Sequence, residues 1–76
     1  MTAHIPIVTG AKLIRALKRG GYELDHQTGS HVFLSHPKAP KRIVCVPNHN
    51  KDLKKGTLKS ILRQAQMTEE ELIVLL

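Results

Sequence analysis

The tripeptide Gly29-Ser30-His31 combines two turn-forming residues with a side chain that transfers protons. Glycine and serine favour a tight turn, because glycine adopts positive φ without steric cost. A histidine directly after the turn is held at the start of a strand. Imidazole has an unperturbed pKa near neutrality, so it can act as a general base there. An ordinary edge-strand histidine is the alternative, but one such imidazole in a chain of net charge +6 suggests a phosphodiester substrate.

The segment Lys54-Lys55-Gly56-Thr57 lies at the predicted start of a helix. Each exposed lysine there costs about 0.3–1 kcal/mol beside the positive end of the helix dipole, unless an anion is bound. Backbone N–H groups, the Thr57 hydroxyl and two ammonium groups would together hold a phosphate, with Lys59 one turn further on. A solvated pair of lysines explains the pattern equally well.

The five histidines raise the question of a metal site. His26, His31 and His36 are five residues apart, a spacing that alternates faces on an extended strand, and the chain has no CxxC or HExxH pattern. We therefore expect no metal and no cofactor. His49, in a polar loop near the lysines, is the second candidate for proton transfer. His36 is also expected in a loop, His26 among mixed neighbours on a strand, and His4 is expected to play no part.

Nucleophilic catalysis is not indicated by the remaining residues. Cys45 lies in the middle of a predicted strand, where a buried, inert thiol is expected. Ser30 is adjacent to His31, and neighbouring residues on a strand point to opposite faces, so this serine is poorly placed to use His31 as its base.

The charge of the chain favours a polyanionic partner. Twelve Lys and Arg oppose six Asp and Glu, a net charge of +6, and residues 1–65 alone carry +9. Such a charge promotes phosphate contacts and counterion release, so nucleic acid is the expected ligand. The two aromatic residues, Tyr22 and Phe33, cannot both fill the core and form a base-stacking platform. We therefore expect recognition through phosphate and sugar.

The size of the chain allows one domain, residues 1–76. A single cysteine cannot form an internal disulfide, which fits a reducing compartment. No apolar run approaches the ~20 residues that span a membrane. The segment MTAHIPIVTG lacks the basic and long apolar regions of a signal peptide. We therefore expect a cytoplasmic protein without a membrane partner.

The helical segments are indicated by apolar residues at helical spacing. The first helix runs from the N-cap Thr9 to Gly20-Gly21. The second runs from about Lys55 to Gln66, and Thr68 with Glu71 forms a capping box for a short helix over 69–75. The predicted apolar stripes are Leu13, Ile14 and Leu17 in the first helix, and Leu58, Ile61, Leu62 and Ala65 in the second.

Three strands are predicted between the two long helices. Tyr22, Leu24 and His26 alternate with polar residues, which predicts a half-buried first strand. Residues 31–35 form the second strand, Pro37 to Arg42 a loop, and Arg42 to Val46 a third strand that Pro47 ends. The short first connection favours an antiparallel meander. The predicted class is therefore α+β, in the order α-β-β-β-α plus a short C-terminal helix.

An ordered set of segments resembles the HicA (YcfA-like) family of bacterial toxins. The segments are T-G-A-K-L-I-R-A-L in the first helix, G-G-Y-E-L, G-S-H at 29–31, V-C-V-P at 44–47, K-K-G-T-L-K-S-I-L-R-Q-A at 54–65, and M-T-E-E-E-L. The resemblance covers nearly the whole chain. One departure is the segment from Ser35 to Arg42, where two prolines replace the compact hairpin we would expect.

The resemblance implies a fold like the double-stranded-RNA-binding domain and a toxin of a type II toxin–antitoxin system. The implied activity is a ribosome-independent mRNA interferase, an endoribonuclease of the stress response, neutralised by a HicB-type antitoxin. His31 is the implied catalytic histidine. Lys54 and Lys55 are implied to contact RNA phosphate, and with them we group Gly29, Ser30, Thr57 and Lys59. A non-catalytic RNA-binding module and a protein-interaction adaptor, using the apolar residues Leu72 to Leu76, remain alternatives.

Overall fold

The computed structural model describes residues 6–49 and 51–76. The element order is α1 (Gly10–Arg19), β1 (Glu23–Thr28), β2 (His31–His36), β3 (Ala39–Pro47), α2 (Lys55–Ala65) and α3 (Glu69–Leu75). This order confirms the predicted α+β class and the α-β-β-β-α arrangement of the double-stranded-RNA-binding domain. No helix in the described ranges is long and apolar enough to cross a membrane.

The three strands form one antiparallel sheet in the order β1-β2-β3, so the predicted meander is confirmed. One face of the sheet carries Val32, Leu34, Val44 and Val46, which are buried in one hydrophobic core with α1, α2 and α3. The opposite face, called here the outer face, carries the side chains that alternate with them: His31 and Phe33 on β2, Cys45 on β3, and His26 and Thr28 on β1. The helices leave this outer face uncovered.

Helix α1 begins and ends where the sequence predicts. The Thr9 hydroxyl accepts a hydrogen bond from the Lys12 backbone N–H at 3.2 Å, which caps the helix. Leu13 and Leu17 are fully buried, and the basic side chains of α1 lie on the exposed face. Gly20 caps the C-terminus, and Gly21 follows with φ of +102°, a value that favours glycine.

The predicted apolar stripe of α2 is buried, and the helix ends at Gln66 in a left-handed conformation. The Tyr22 hydroxyl donates to the Ala65 carbonyl oxygen at 2.8 Å, which ties the segment before β1 to the last turn of α2. The capping box of α3 is present: Glu71 N–H donates to the Thr68 hydroxyl at 3.1 Å, and Thr68 N–H to a Glu71 carboxylate oxygen at 2.8 Å.

The predicted half-buried character of β1 is wrong, because every residue of this strand is exposed. Tyr22, the buried residue of the pattern, lies just before the strand. A β-bulge between Leu24 and His26 then interrupts the alternation. Leu24 pairs with Leu34, whereas His26 pairs with Phe33. In a regular strand Leu24 and His26 would share one face, but the bulge puts them on opposite faces.

The predicted loop over Pro37 to Arg42 is also wrong. Only Pro37 and Lys38 form the turn, and β3 begins at Ala39, three residues earlier than predicted. The pairing is irregular, because the register shifts between Ser35 and His36. Pro40 is tolerated because β3 is an edge strand, where the missing N–H need not reach a neighbouring strand.

Candidate active site

The turn between β1 and β2 presents His31 to solvent. Gly29 has φ of +56°, and a Cβ there would meet no atom within 4 Å, so the backbone conformation rather than space favours glycine. The Gln27 side-chain amide donates to the Gly29 carbonyl oxygen at 3.2 Å and steadies the turn. His31 is the first residue of β2, as predicted, and is exposed between Thr28 on β1 and Pro47 on β3.

Backbone contacts bring four elements to the end of the molecule that holds His31. The Asn48 N–H donates to the Ser30 carbonyl oxygen at 2.6 Å, which joins the turn to the segment after β3. Gly10, the first residue of α1, packs so tightly on Pro47 that a Cβ would lie 1.9 Å from the Pro47 carbonyl oxygen. Leu53 N–H donates to the Val8 carbonyl oxygen at 2.8 Å, directly before α2. His31 and the start of α2 therefore share one end of the fold.

The start of α2 has no internal partner for its charge. Lys54 is the N-cap residue but makes no side-chain cap, and the first turn holds no acidic residue. Lys54, Lys55 and Lys59 are exposed, and Thr57 is half-buried. Among the described residues, no lysine or arginine forms an ion pair with a carboxylate. The start of α2 is suited to binding an anion, because the free N–H groups, the positive end of the helix dipole and the lysine ammonium groups all attract negative charge.

An unexpected pair of contacts lies on β1. The His26 ring stacks on Phe33 with a centroid distance of 4.4 Å and an interplanar angle of 7°. Its Nδ1 lies 2.6 Å from a carboxylate oxygen of Asp25. Phe33 is therefore not a core residue, and Tyr22 is the aromatic residue that the core contains. No signal in the sequence marks the bulge that places His26 beside Phe33.

The other histidines have different roles. His36 ends β2 rather than lying in a loop, so that prediction is wrong. Its ring meets the edge of Tyr22 at 5.1 Å, and its Nδ1 accepts a hydrogen bond from the Lys38 N–H at 3.1 Å. His49 is exposed in the segment after β3, as predicted. His4 lies outside the described residues.

Two further predictions concern metal binding and Cys45. Within residues 6–49 and 51–76, no three His, Cys, Asp or Glu side chains lie close enough together to hold a metal ion. Cys45 is a free cysteine, but it is partly exposed on the outer face opposite Phe33. The expectation of a buried thiol is therefore wrong, because the alternation of β3 buries its neighbours Val44 and Val46 instead.

The fold and the site together define a small α+β protein whose exposed histidine and unpaired lysines share one end. A model of the family described as the HicA toxin of bacterial toxin–antitoxin systems matches residues 10–67. The chain belongs to this family of toxins, which act with cognate antitoxins. The match begins at the first residue of α1 and ends just after α2, so it includes His31, Lys54 and Lys55. No curated protein matches the chain.

Proposed function

We propose that this chain is a ribosome-independent mRNA interferase that cleaves RNA with His31 as general base. The observation that carries the proposal is the position of this exposed histidine, at the same end as the uncapped, lysine-rich start of α2. A base and an anion site at one end fit a substrate that offers a hydroxyl beside a phosphate. RNA has this arrangement at every nucleotide. The domain comprises residues 1–76 and acts on mRNA in the cytoplasm during stress.

The reaction needs only side-chain chemistry. Neutral His31 accepts the proton of the ribose 2′-hydroxyl, and the 2′-oxygen attacks the adjacent phosphorus. The bond from phosphorus to the 5′-oxygen breaks, which yields a 2′,3′-cyclic phosphate and a 5′-hydroxyl. Lys54 and Lys55 stabilise the charge that develops on the phosphoryl oxygens. One well-placed base contributes about 10²–10⁴-fold, so a nuclease of modest rate is expected.

The remaining site residues bind the strand around the scissile phosphate. Gly29 and Ser30 bring backbone groups close to the phosphate beside His31, since the turn is exposed. The Thr57 hydroxyl and the Lys59 ammonium extend the anion site along the first turns of α2. These contacts position the backbone of the RNA and carry little base specificity.

The proposal is tested by incubating the purified protein with RNA in EDTA and analysing the product ends. We expect cleavage in the presence of the chelator, with 2′,3′-cyclic phosphate and 5′-hydroxyl ends. Activity that is lost on chelation and restored by magnesium or zinc would contradict the scheme. Binding without cleavage under all conditions would instead identify a non-catalytic RNA-binding module.

An acidic HicB-type antitoxin is the proposed protein partner. The twelve basic side chains offer a surface that such a partner can cover, and complementary charge would make its association fast and salt-sensitive. We expect a tight complex in which His31 is buried and RNA is displaced from Lys54 and Lys55. Co-purification followed by a cleavage assay tests this, with full inhibition at one antitoxin per toxin. A bound partner that leaves cleavage unchanged would contradict it.

A protein-interaction adaptor is the second candidate function, and α3 is the observation that favours it. Only Leu72 of this helix is buried, whereas Ile73 and Val74 are exposed by 44% and 84%. The apolar C-terminal residues therefore pack against the core only in part, through Leu72 and Leu75. An adaptor would bind a partner through α3 and tolerate loss of His31.

A further inference from the structure

The reaction proposed above lacks a group that protonates the departing 5′-oxygen, and His26 is arranged as a proton-transfer residue. Adjacent residues on a regular strand point to opposite faces, so a side-chain hydrogen bond between Asp25 and His26 is not expected. The bulge in β1 removes that restriction, because Asp25 is the extra residue without a partner on β2. The carboxylate accepts a hydrogen bond from His26 Nδ1 at 2.6 Å.

Two contacts fix the orientation of the His26 ring. The Asp25 hydrogen bond holds the proton on Nδ1, so that Nε2 is the nitrogen left to exchange a proton with a ligand, and the parallel stack on Phe33 holds the ring plane. The side chain of His26 is nevertheless 53% exposed. Its Nε2 has no hydrogen-bond partner among the described residues and is free to meet a ligand.

His26 and His31 lie on the same face of the sheet and on neighbouring strands. His26 is opposite Phe33, and His31 is opposite Thr28, so the two histidines are diagonal neighbours. The backbones of such diagonal pairs are about 7–8 Å apart in an antiparallel sheet. Two side chains at this spacing on one face can contact the same phosphate group, one at the 2′-oxygen and one at the 5′-oxygen.

We propose that His26 is the general acid of the cleavage reaction, with Asp25 and Phe33 as positioning residues. The inference rests on the proposed function of His31. As the phosphorus–oxygen bond breaks, the proton on Nε2 of the His26 imidazolium passes to the 5′-oxygen, while His31 holds the proton from the 2′-hydroxyl. The product is a 5′-hydroxyl, and both histidines regain their starting states by exchange with solvent.

A substrate with sulfur in place of the departing 5′-oxygen tests this assignment. A thiolate is a much weaker base than an alkoxide, so it leaves without a general acid. We expect His26→Ala to cleave ordinary RNA about 10²–10⁴-fold more slowly than the parent protein. On the sulfur-containing linkage we expect the same variant to cleave within a few-fold of the parent. His31→Ala should be slow on both substrates, because the base is still required.

Two further variants make the test independent of folding. Asp25→Asn keeps an oxygen that accepts from Nδ1 but removes the charge. We expect this variant to cleave ordinary RNA more slowly than the parent, though by a smaller factor than His26→Ala, and to cleave the sulfur-containing linkage at close to the parent rate. His49→Ala removes an exposed histidine near α2 and should behave as the parent on both substrates. A merely structural role of His26 would slow both linkages equally.

The outcomes separate the two proposals. An equal loss on both substrates, or no loss, for both His26→Ala and Asp25→Asn overturns the assignment of His26, while the parent still cleaves and the function of His31 stands. If His49→Ala is the only variant that cleaves ordinary RNA slowly and the sulfur-containing linkage at the parent rate, the general acid is His49 and the assignment of His26 is overturned. A parent protein that cleaves neither substrate overturns the proposed function itself, and the role of His26 with it.

Discussion

The starts of α2 and α3 differ in whether side chains satisfy the free backbone N–H groups of the helix. Helix α3 has a threonine cap, a reciprocal bond from Glu71 and three glutamates in its first turn. Helix α2 starts with Lys54 and Lys55, has no side-chain cap, and has no acidic residue in its first turn. The start of α3 stabilises the folded protein without any ligand, whereas the start of α2 leaves N–H donors and positive charge available to a ligand.

The two helix starts are close in sequence, but one is built for stability and the other for binding. The α3 start lies outside the part of the chain that matches the HicA family, and the α2 start lies inside it. A helix start that gives up a cap and also places lysines beside the dipole forgoes about 1 kcal/mol or more. An RNA phosphate at this position would offset that loss. Substitutions at the two starts should therefore affect binding and stability differently.

Among substitutions at the two helix starts, the largest loss of RNA affinity is expected when both lysines at the α2 start are removed. Lys54→Ala with Lys55→Ala should lower the slope of log K against log salt by about 1–2 units, because two phosphate contacts are lost. If parent and variant bind alike at 1 M salt, a loss of two contacts weakens binding about 10–30-fold at 0.15 M salt. Fluorescence anisotropy with labelled RNA over a salt series measures both quantities. An unchanged slope would mean that the pair is only solvated surface.

A smaller effect, confined to stability, is expected at the α3 start. Thr68→Ala removes the cap and the acceptor of the Glu71 N–H, at a cost of about 1 kcal/mol. For a domain of this size the melting temperature should fall by about 4–8 °C. RNA affinity and its salt slope should equal those of the parent protein. A loss of RNA binding here would place α3 in the RNA interface and weaken the contrast between the two helices.

The smallest change in stability is expected when α2 is given an acidic N-cap residue, and this substitution should affect stability and RNA binding in opposite directions. Lys54 has the extended backbone of an N-cap, so Lys54→Asp should cap the helix and raise the free energy of unfolding by about 0.5–1 kcal/mol. The same substitution should weaken RNA binding, since a carboxylate replaces an ammonium beside the phosphate. Thermal unfolding and anisotropy on one preparation decide the matter. If Lys54→Asp raised both the free energy of unfolding and the RNA affinity, or lowered both, the assignment of this helix start to RNA binding would be contradicted.

The helices and the sheet order could be predicted from local patterns. The Thr9 cap, the glycines after α1, the apolar stripe of α2 and the Thr68 capping box each combine residue type with spacing, and the structure contains all four. The short turn at Gly29 was sufficient to predict an antiparallel pair. These features depend on contacts within a few residues of the chain, which sequence patterns report directly.

The details of the strands could not be predicted in the same way. After Leu24 the residues of β1 are all polar, so no apolar residue beyond the bulge reveals the change of face at His26. Pro40 is unfavourable in a central strand, and only the position of β3 at the sheet edge allows it. Phe33 lies outside the core because its aliphatic neighbours already fill the inner face.

The site was therefore predictable in part. The exposure of His31 and of the lysines before α2 follows from the turn and the helix pattern. Their presence at one end of the molecule depends on long-range backbone contacts of Gly10, Asn48 and Leu53, which no local pattern contains. The pairing of His26 with Asp25 and Phe33 depends on the bulge and was not predicted.

The most direct test of the claim that His31 is the general base compares His31→Ala with the parent protein and with His49→Ala. RNA cleavage and RNA binding are measured on the same preparation of each protein. Single-turnover cleavage in EDTA should fall by about 10²–10⁴-fold in His31→Ala and remain at the parent rate in His49→Ala. RNA affinity in a gel-shift assay should stay within a few-fold of the parent, because the lysines of α2 are intact. Cleavage by His31→Ala at the parent rate would contradict the account, since the reaction would then use another base.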